Sequence, residues 1–167
     1  VDPARLVRRA GTSVVHAAWH PHRFDELVVL WRDGHVCGYD TRSARGLHAA
    51  AWSVRVSVAP ATTSFAFYPD VRGETDDSVF VLRRDGLVVG VRPPPVGSPS
   101  LPLRRRGKVA RVVVCSAGAN GAGMGEATDV IVARVPGSDA TVVHRAWSSG
   151  VVEALVWDGA VPVPALV

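Results

Sequence analysis

Three histidines stand close together in HAAWHPH: His16, His20 and His22. Alternate residues of a strand share a face, so all three could point the same way. Metal ligation needs that convergence together with further ligands at a recognised spacing, and no cysteine or carboxylate accompanies the histidines in such a pattern. Histidines at a strand end, packed beside Trp19, account for the run more simply. GANGAGMGE, Gly118 to Glu126, has the glycine content of a phosphate-cradling loop. Such a loop leaves a strand and opens a helix whose N-terminus holds the anion, and the Walker type also needs Gly-Lys-Ser/Thr. A strand-like ATDVIVARV follows here and the loop has no lysine, so it reads as a surface loop.

The nucleophile candidates fare no better. Ser116 in VCSAG lacks the leading glycine of a nucleophile elbow, and no helix follows it. Cys115 would need a positioned base or a positive environment to act, and nothing adjacent supplies one. Asp33, Asp85 and Asp158 fall at turns, while Glu74, Asp76 and Asp77 fall in a connector. The sequence therefore assigns no catalytic, cofactor-binding or metal-ligating set. Cys37 and Cys115 sit in apolar, strand-like surroundings, the ordinary place of a buried reduced thiol, which fits a cytoplasmic or nuclear compartment.

What must position any function is a repeated unit. ELVVLWRDGHVCGYD, from Glu26 to Asp40, recurs as SVFVLRRDGLVVGV, from Ser78 to Val91. The offset of 52 sets Val29 on Val81, Leu30 on Leu82, Asp33 on Asp85, Gly34 on Gly86 and Gly38 on Gly90. A weaker third copy, ALVWDGAVPV, sets Leu155, Asp158 and Gly159 on Leu30, Asp33 and Gly34 at an offset of 125. Each copy is an apolar, β-branched run, then Asp-Gly, then a second such run. Asp-Gly favours a two-residue hairpin loop, since both central positions there take positive φ. Another strand precedes each of the first two hairpins, SVVHAAWHP and TSFAFYPD, and each ends at a proline. A further strand, AAAWSVRVSV, follows the first.

Four antiparallel strands recurring every ~40–50 residues are the signature of propeller blades. The 167 residues, 47% hydrophobic, suffice for one domain with a core. They are expected to form one all-β domain over 1–167, a partial β-propeller of about three four-stranded antiparallel blades. The blade-like units run over 13–58, 63–92 and 109–157, with a Pro/Arg-rich connector at 93–108. The third unit starts with KVARVVVCS and turns at PGSD. Closed propellers need about four to eight blades, so the rest belong to a longer WD40-like propeller or to a partner. The chain also opens on Val1, as an excised portion would. Trp19, Trp52, Trp147 and Trp157 are expected between blades, and Trp31, beside a turn, partly exposed.

Charge and hydropathy limit the partners. The formal charge of +4 rests on arginine, with Lys108 the one lysine. LRRRGK, Leu103 to Lys108, has no interleaved aromatics to stack bases, so direct nucleic-acid binding is not expected. The longest apolar runs are too short to cross a bilayer as helices, and the N-terminal stretch has no continuous apolar segment of a signal peptide. A soluble, protein-binding module is expected, with no cofactor.

The order VVHAAWHPHRFDELVVLWRDGHVCGYD, then SFAFYPD with SVFVLRRDGLVVGVRPPPVG, resembles the N-terminal propeller of the cytoplasmic-face nucleoporin called eighty-eight in animals and eighty-two in yeast. The residues that carry the likeness are Trp19, His20, Pro21, Asp33, Gly34, Tyr39 and Asp40, then Asp85, Gly86 and Pro93 to Pro95, and downstream TDVIVARVPGSDATVVHRAW with Trp147. The resemblance implies a non-enzymatic scaffold at the cytoplasmic face of the nuclear pore, docking other nucleoporins within a larger complex that serves transport and mRNA export. A general WD40-type adaptor in another protein or RNA-associated assembly is the alternative, and a propeller enzyme with its site in the central channel is a third. A docking edge, if one is to be chosen, falls on the connector, at Pro93, Pro94, Pro95, Arg104, Arg105, Arg106 and Lys108, where rigid prolines present basic side chains; an ordinary solvated linker is the alternative reading of the same stretch.

Overall fold

A computed structural model describes residues 12–42, 50–56, 62–68, 78–94, 110–115, 123–135, 137, 138 and 140–157. Eleven strands make up the described secondary structure: β1 (Val14–Trp19), β2 (Glu26–Trp31), β3 (His35–Asp40), β4 (Trp52–Arg55), β5 (Thr62–Phe67), β6 (Val79–Arg83), β7 (Val88–Arg92), β8 (Ala110–Cys115), β9 (Ala127–Arg134), β10 (Thr141–Trp147) and β11 (Val152–Trp157). They form three antiparallel sheets in simple meander order: β1-β2-β3-β4, β5-β6-β7-β8 and β9-β10-β11. The described residues include no helix, so none is long and apolar enough to cross a membrane.

Alternation along the strands gives the central sheet two apolar faces, and both are used. Val79 and Val81 of β6, with Val89 and Val91 of β7, pack against Val28, Leu30, Val36 and Trp52 of the first sheet. Phe80, Leu82 and Val88 point the other way and pack against Val130, Val132, Val143 and Trp147 of the third sheet. Each fully buried Val or Leu contributes about 1.5–3 kcal/mol, so these two layers dominate the energetics. The first strands, β1, β5 and β9, lie beside one another. Consecutive meanders stacked face to face along their first strands are blades of a β-propeller, and the described sheets form an open arc of it.

The hairpin loops differ from the expected two-residue form. Gly86 N–H bonds the carbonyl of Arg83, and Arg83 N–H bonds that of Leu87, which closes a three-residue loop of Arg84, Asp85 and Gly86. Gly34 bonds Trp31 in the same way. Only the glycine needs the left-handed region, with φ of 82° at Gly34 and 85° at Gly86. The aspartate instead fixes the chain two residues on, since Asp33 Oδ1 accepts from His35 N–H and Asp85 Oδ1 from Leu87 N–H.

That geometry also relocates the third repeat. Gly150 N–H bonds the carbonyl of Trp147, Trp147 N–H bonds that of Val151, and φ at Gly150 is 86°. The counterpart of Trp31-Arg32-Asp33-Gly34 is therefore Trp147-Ser148-Ser149-Gly150, at an offset of 116 instead of 125. Leu155, aligned by sequence with Leu30 of a second strand, lies in a third strand, and Asp158-Gly159 falls outside the described residues.

The strand boundaries need one further correction. Ala110–Cys115, read as the start of the third unit, pairs along β7 from Val88 to Arg92 and completes the second sheet. A long connection before a fourth strand was already present in the first unit, between Asp40 and Trp52. The free edge of β7 decides the pairing, and local sequence carries no record of a free edge. Trp31 is also corrected: it is 3% exposed and packs with Val29, Cys37 and Tyr39 on the face of the first sheet turned away from the second.

A Cβ at Gly86 would stand 2.4 Å from the Trp147 ring, whereas at Gly150 it would meet nothing within 4 Å. Gly150→Ala is therefore expected to cost only the left-handed backbone, about 1–2 kcal/mol. Gly86→Ala should cost about 1–3 kcal/mol more, from overpacking against the indole. Urea denaturation midpoints of the two variants measure the difference.

Candidate functional site

Each sheet's first strand departs from regular register at its second residue. The shift falls between Val14 and His16 in β1 and between Thr62 and Ser64 in β5; in β9 it falls where Ala127 pairs with Trp147 and Asp129 with Ala146. The bulge places the third residue of each strand, His16, Ser64 and Asp129, at matching positions of neighbouring sheets. These three side chains meet. Ser64 Oγ donates to Asp129 Oδ1 at 2.6 Å and lies 3.4 Å from His16 Nδ1.

A histidine, a serine and a carboxylate from three sheets invite comparison with a hydrolytic triad. Their order is wrong for one. A triad sets the imidazole between serine and carboxylate so that it can take the hydroxyl proton. Here the serine stands in the middle, and its single proton is committed to Asp129. His16 can then contribute to the line only as an Nδ1–H donor to Ser64 Oγ. Ser64 is buried, and the His16 ring lies 4.5 Å from that of Phe65. The arrangement ties first strands together and leaves no activated nucleophile on Ser64.

The other histidines of the run behave as packing residues. His20 is 1% exposed, its ring 4.9 Å from Phe67, and its Nδ1 accepts from His22 N–H. Among the described residues no group of three or more His, Cys, Asp or Glu side chains is placed to hold a metal ion. Cys37 is buried, with its Sγ 3.2 Å from Ser53 Oγ. Cys115 lies in β8; Ser116 and the Gly118–Glu126 loop as far as Ala122 fall outside the described residues.

A second polar cluster, not singled out from the sequence, locks the second sheet to the third. Arg145 of β10 is 3% exposed, yet its Nη1 donates to the carbonyl of Gly86 in the β6–β7 loop. Its Nη2 pairs with Glu153 at 2.7 Å, Glu153 also accepts from Trp147 Nε1 at 2.9 Å, and the guanidinium sits over the Trp147 ring. Ala127 N–H bonds the Arg84 carbonyl of the same loop. The first sheet holds a parallel set, in which Trp52 Nε1 donates to Glu26 and Arg23 pairs with that carboxylate. The available signal was Glu or Arg within a strand that otherwise alternates cleanly, as in TVVHRAW.

Of the expected docking residues, Pro93 is buried and Pro94 half-buried, directly after β7. Pro95, Arg104, Arg105, Arg106 and Lys108 lie outside the described residues. The tryptophans divide: Trp52 and Trp147 are buried, Trp157 packs edge-on to Phe80 across the sheet interface at 5.5 Å, and Trp19 is 50% exposed.

No family model matches the sequence, and no curated protein matches it. Among solved structures the chain is similar to the β-propeller domain of Cps50 (Swd1) from Myceliophteria thermophila, at 11% identity and a TM-score of 0.47. The match covers 86% of this chain and 44% of that one, so the chain spans less than half the length of that domain.

The two clusters should differ in cost. Ser64→Ala removes the centre of the first-strand line but leaves Asp129 exposed to water, so a loss of about 0.5–1.5 kcal/mol is expected. Arg145→Leu leaves the buried Gly86 carbonyl without its side-chain donor and Glu153, 22% exposed, with Trp147 Nε1 alone, and should cost about 1.5–3 kcal/mol. Equilibrium unfolding of both variants tests the ranking; equal losses would contradict it.

Proposed function

We propose that this chain is part of a non-enzymatic β-propeller scaffold that docks other proteins at the cytoplasmic face of the nuclear pore, within a larger assembly serving transport and mRNA export. One observation supports the docking half of this reading. Side chains of reactive type are spent on one another between sheets, as at His16, Ser64 and Asp129, while large exposed apolar side chains gather on the far face of the third sheet. Contiguous exposed apolar surface is the chemistry of protein contact. The pore half rests on the resemblance of the segments around Trp19-His20-Pro21, the two Asp-Gly hairpins and Pro93–Pro95. In this reading the connector from Pro93 to Lys108 adds a basic docking edge.

Affinity capture of the native protein from its own cells tests the assignment. Components of the pore's cytoplasmic face should co-purify, and replacement of Arg104, Arg105 and Arg106 by Glu should lower their recovery. Recovery of a different stable assembly without pore components would overturn the pore reading in favour of a general WD40-type adaptor.

A further inference from the structure

Phe24 lies in the β1–β2 loop, off every sheet, and at 83% it is the most exposed large apolar side chain among the described residues. Its exposure does not come from a slack loop. His20 N–H bonds the Glu26 carbonyl, Glu26 N–H that of Arg23, and His22 N–H the Nδ1 of buried His20. The side chains of Arg23 and Glu26, 8% and 9% exposed, pair at 3.2 Å, and Glu26 is held in turn by Trp52 Nε1 at 2.9 Å. Thr41 fastens the next residue, donating both its N–H and its Oγ1–H to the Asp25 carbonyl. The corresponding β9–β10 turn is also closed, by Val135 and Ala140, and it shows Gly137 and Ser138 to water. A turn at this place thus needs no phenyl group, and a fixed loop that holds one out presents a preformed anchor.

The charges beside the ring indicate what takes it. Arg23 and Glu26 cancel each other within the loop. Next to Phe24 that leaves the side chains of Asp25, 44% exposed, Asp40, 42%, and Arg42, 67%. Arg42 Nε lies 3.1 Å from Asp25 Oδ2 and 3.8 Å from Asp40 Oδ1, and one guanidinium does not offset two carboxylates. In a chain of formal charge +4 this spot is therefore acidic. Anionic lipid and nucleic acid gain nothing from it, whereas a lysine or arginine meets Asp25 and Asp40 and also the phenyl face. A second copy fits poorly: an isologous contact would set ring against ring, and a heterologous one would not close.

We infer that Phe24 anchors a docking site for a distinct protein, one with an apolar pocket that takes the phenyl ring and with a lysine or arginine at the pocket's rim that pairs with Asp25 and Asp40. That arrangement has the anatomy of a protein interface, an aromatic centre within a polar rim, and the loop is already ordered before binding. The inference rests on the docking half of the scaffold reading and gives it a site separate from the face of the third sheet.

Site-specific photo-crosslinking in the native protein, purified with the proteins it binds, tests this. A benzophenone amino acid replaces Phe24, with Ser138, exposed in the β9–β10 turn, as the control position. Position 24 should cross-link to one protein other than this chain, and position 138 should not reach that protein. Phe24→Ala should lower recovery of the cross-linked protein about tenfold or more, and Phe24→Leu much less. Asp25→Lys should lower it several-fold, and the urea midpoints of all three variants should match the wild type, since neither side chain is buried. Adducts with another copy, sedimentation with phosphatidylserine vesicles that Phe24→Ala abolishes, or no adduct at all would overturn the inference, as would recovery improved by Asp25→Lys. A stable set of captured proteins that neither Phe24→Ala nor Asp25→Lys disturbs would sink this inference alone, whereas capture of no protein by the wild type would sink the docking reading with it.

Discussion

Each described sheet turns aliphatic side chains to both faces, and that single constraint organises the rest. A sheet whose strands place Val79 and Val81 on one side and Phe80 and Leu82 on the other has no side to give to water. It needs a neighbour in each direction, and a stack of such sheets has no natural end. The described residues answer with three sheets joined by two apolar layers. The first layer is centred on Val28, Leu30, Val81 and Val91, the second on Phe80, Val88, Val143 and Trp147. The exposed valines and isoleucine of the third sheet are the same constraint left unmet at one end.

Against those layers the polar contacts act differently. Burying an aliphatic side chain contributes about 1.5–3 kcal/mol without fixing direction, whereas a neutral hydrogen bond contributes about 0.5–1.5 kcal/mol but only at one geometry. The line from His16 through Ser64 to Asp129 therefore adds little to stability and much to alignment, holding the first strands at a common level. Arg145 acts similarly one register position away on the neighbouring strand, clamping the Arg84-Asp85-Gly86 loop through a carbonyl that would otherwise lack a side-chain partner. Residue types familiar from active sites are here the alignment pins of a stack.

How much of this could be read in advance follows from the range of each interaction. The hairpins at Gly34 and Gly86 were legible because the turn is closed by residues three apart. The third copy of the motif was placed at Asp158-Gly159 because its aspartate is replaced by Ser149, while Trp147 and Gly150 keep the pattern. Searching for tryptophan three residues before glycine would have found it. The His-Ser-Asp line could not have been found: its members are 48 and 65 residues apart, and each looks ordinary in its own strand.

By itself, then, the sequence determined the strands and the place of the first two hairpin turns, since period-two alternation and a glycine with positive φ are enforced by the backbone over a few residues. Tertiary structure alone decided that Ala110–Cys115 closes the second sheet, that Trp31 is buried, that His16, Ser64 and Asp129 meet, and which face of the third sheet stays open. Those outcomes depend on which edges and faces remain free once neighbouring sheets have packed. That is a property of the assembled stack, carried by no single stretch of chain.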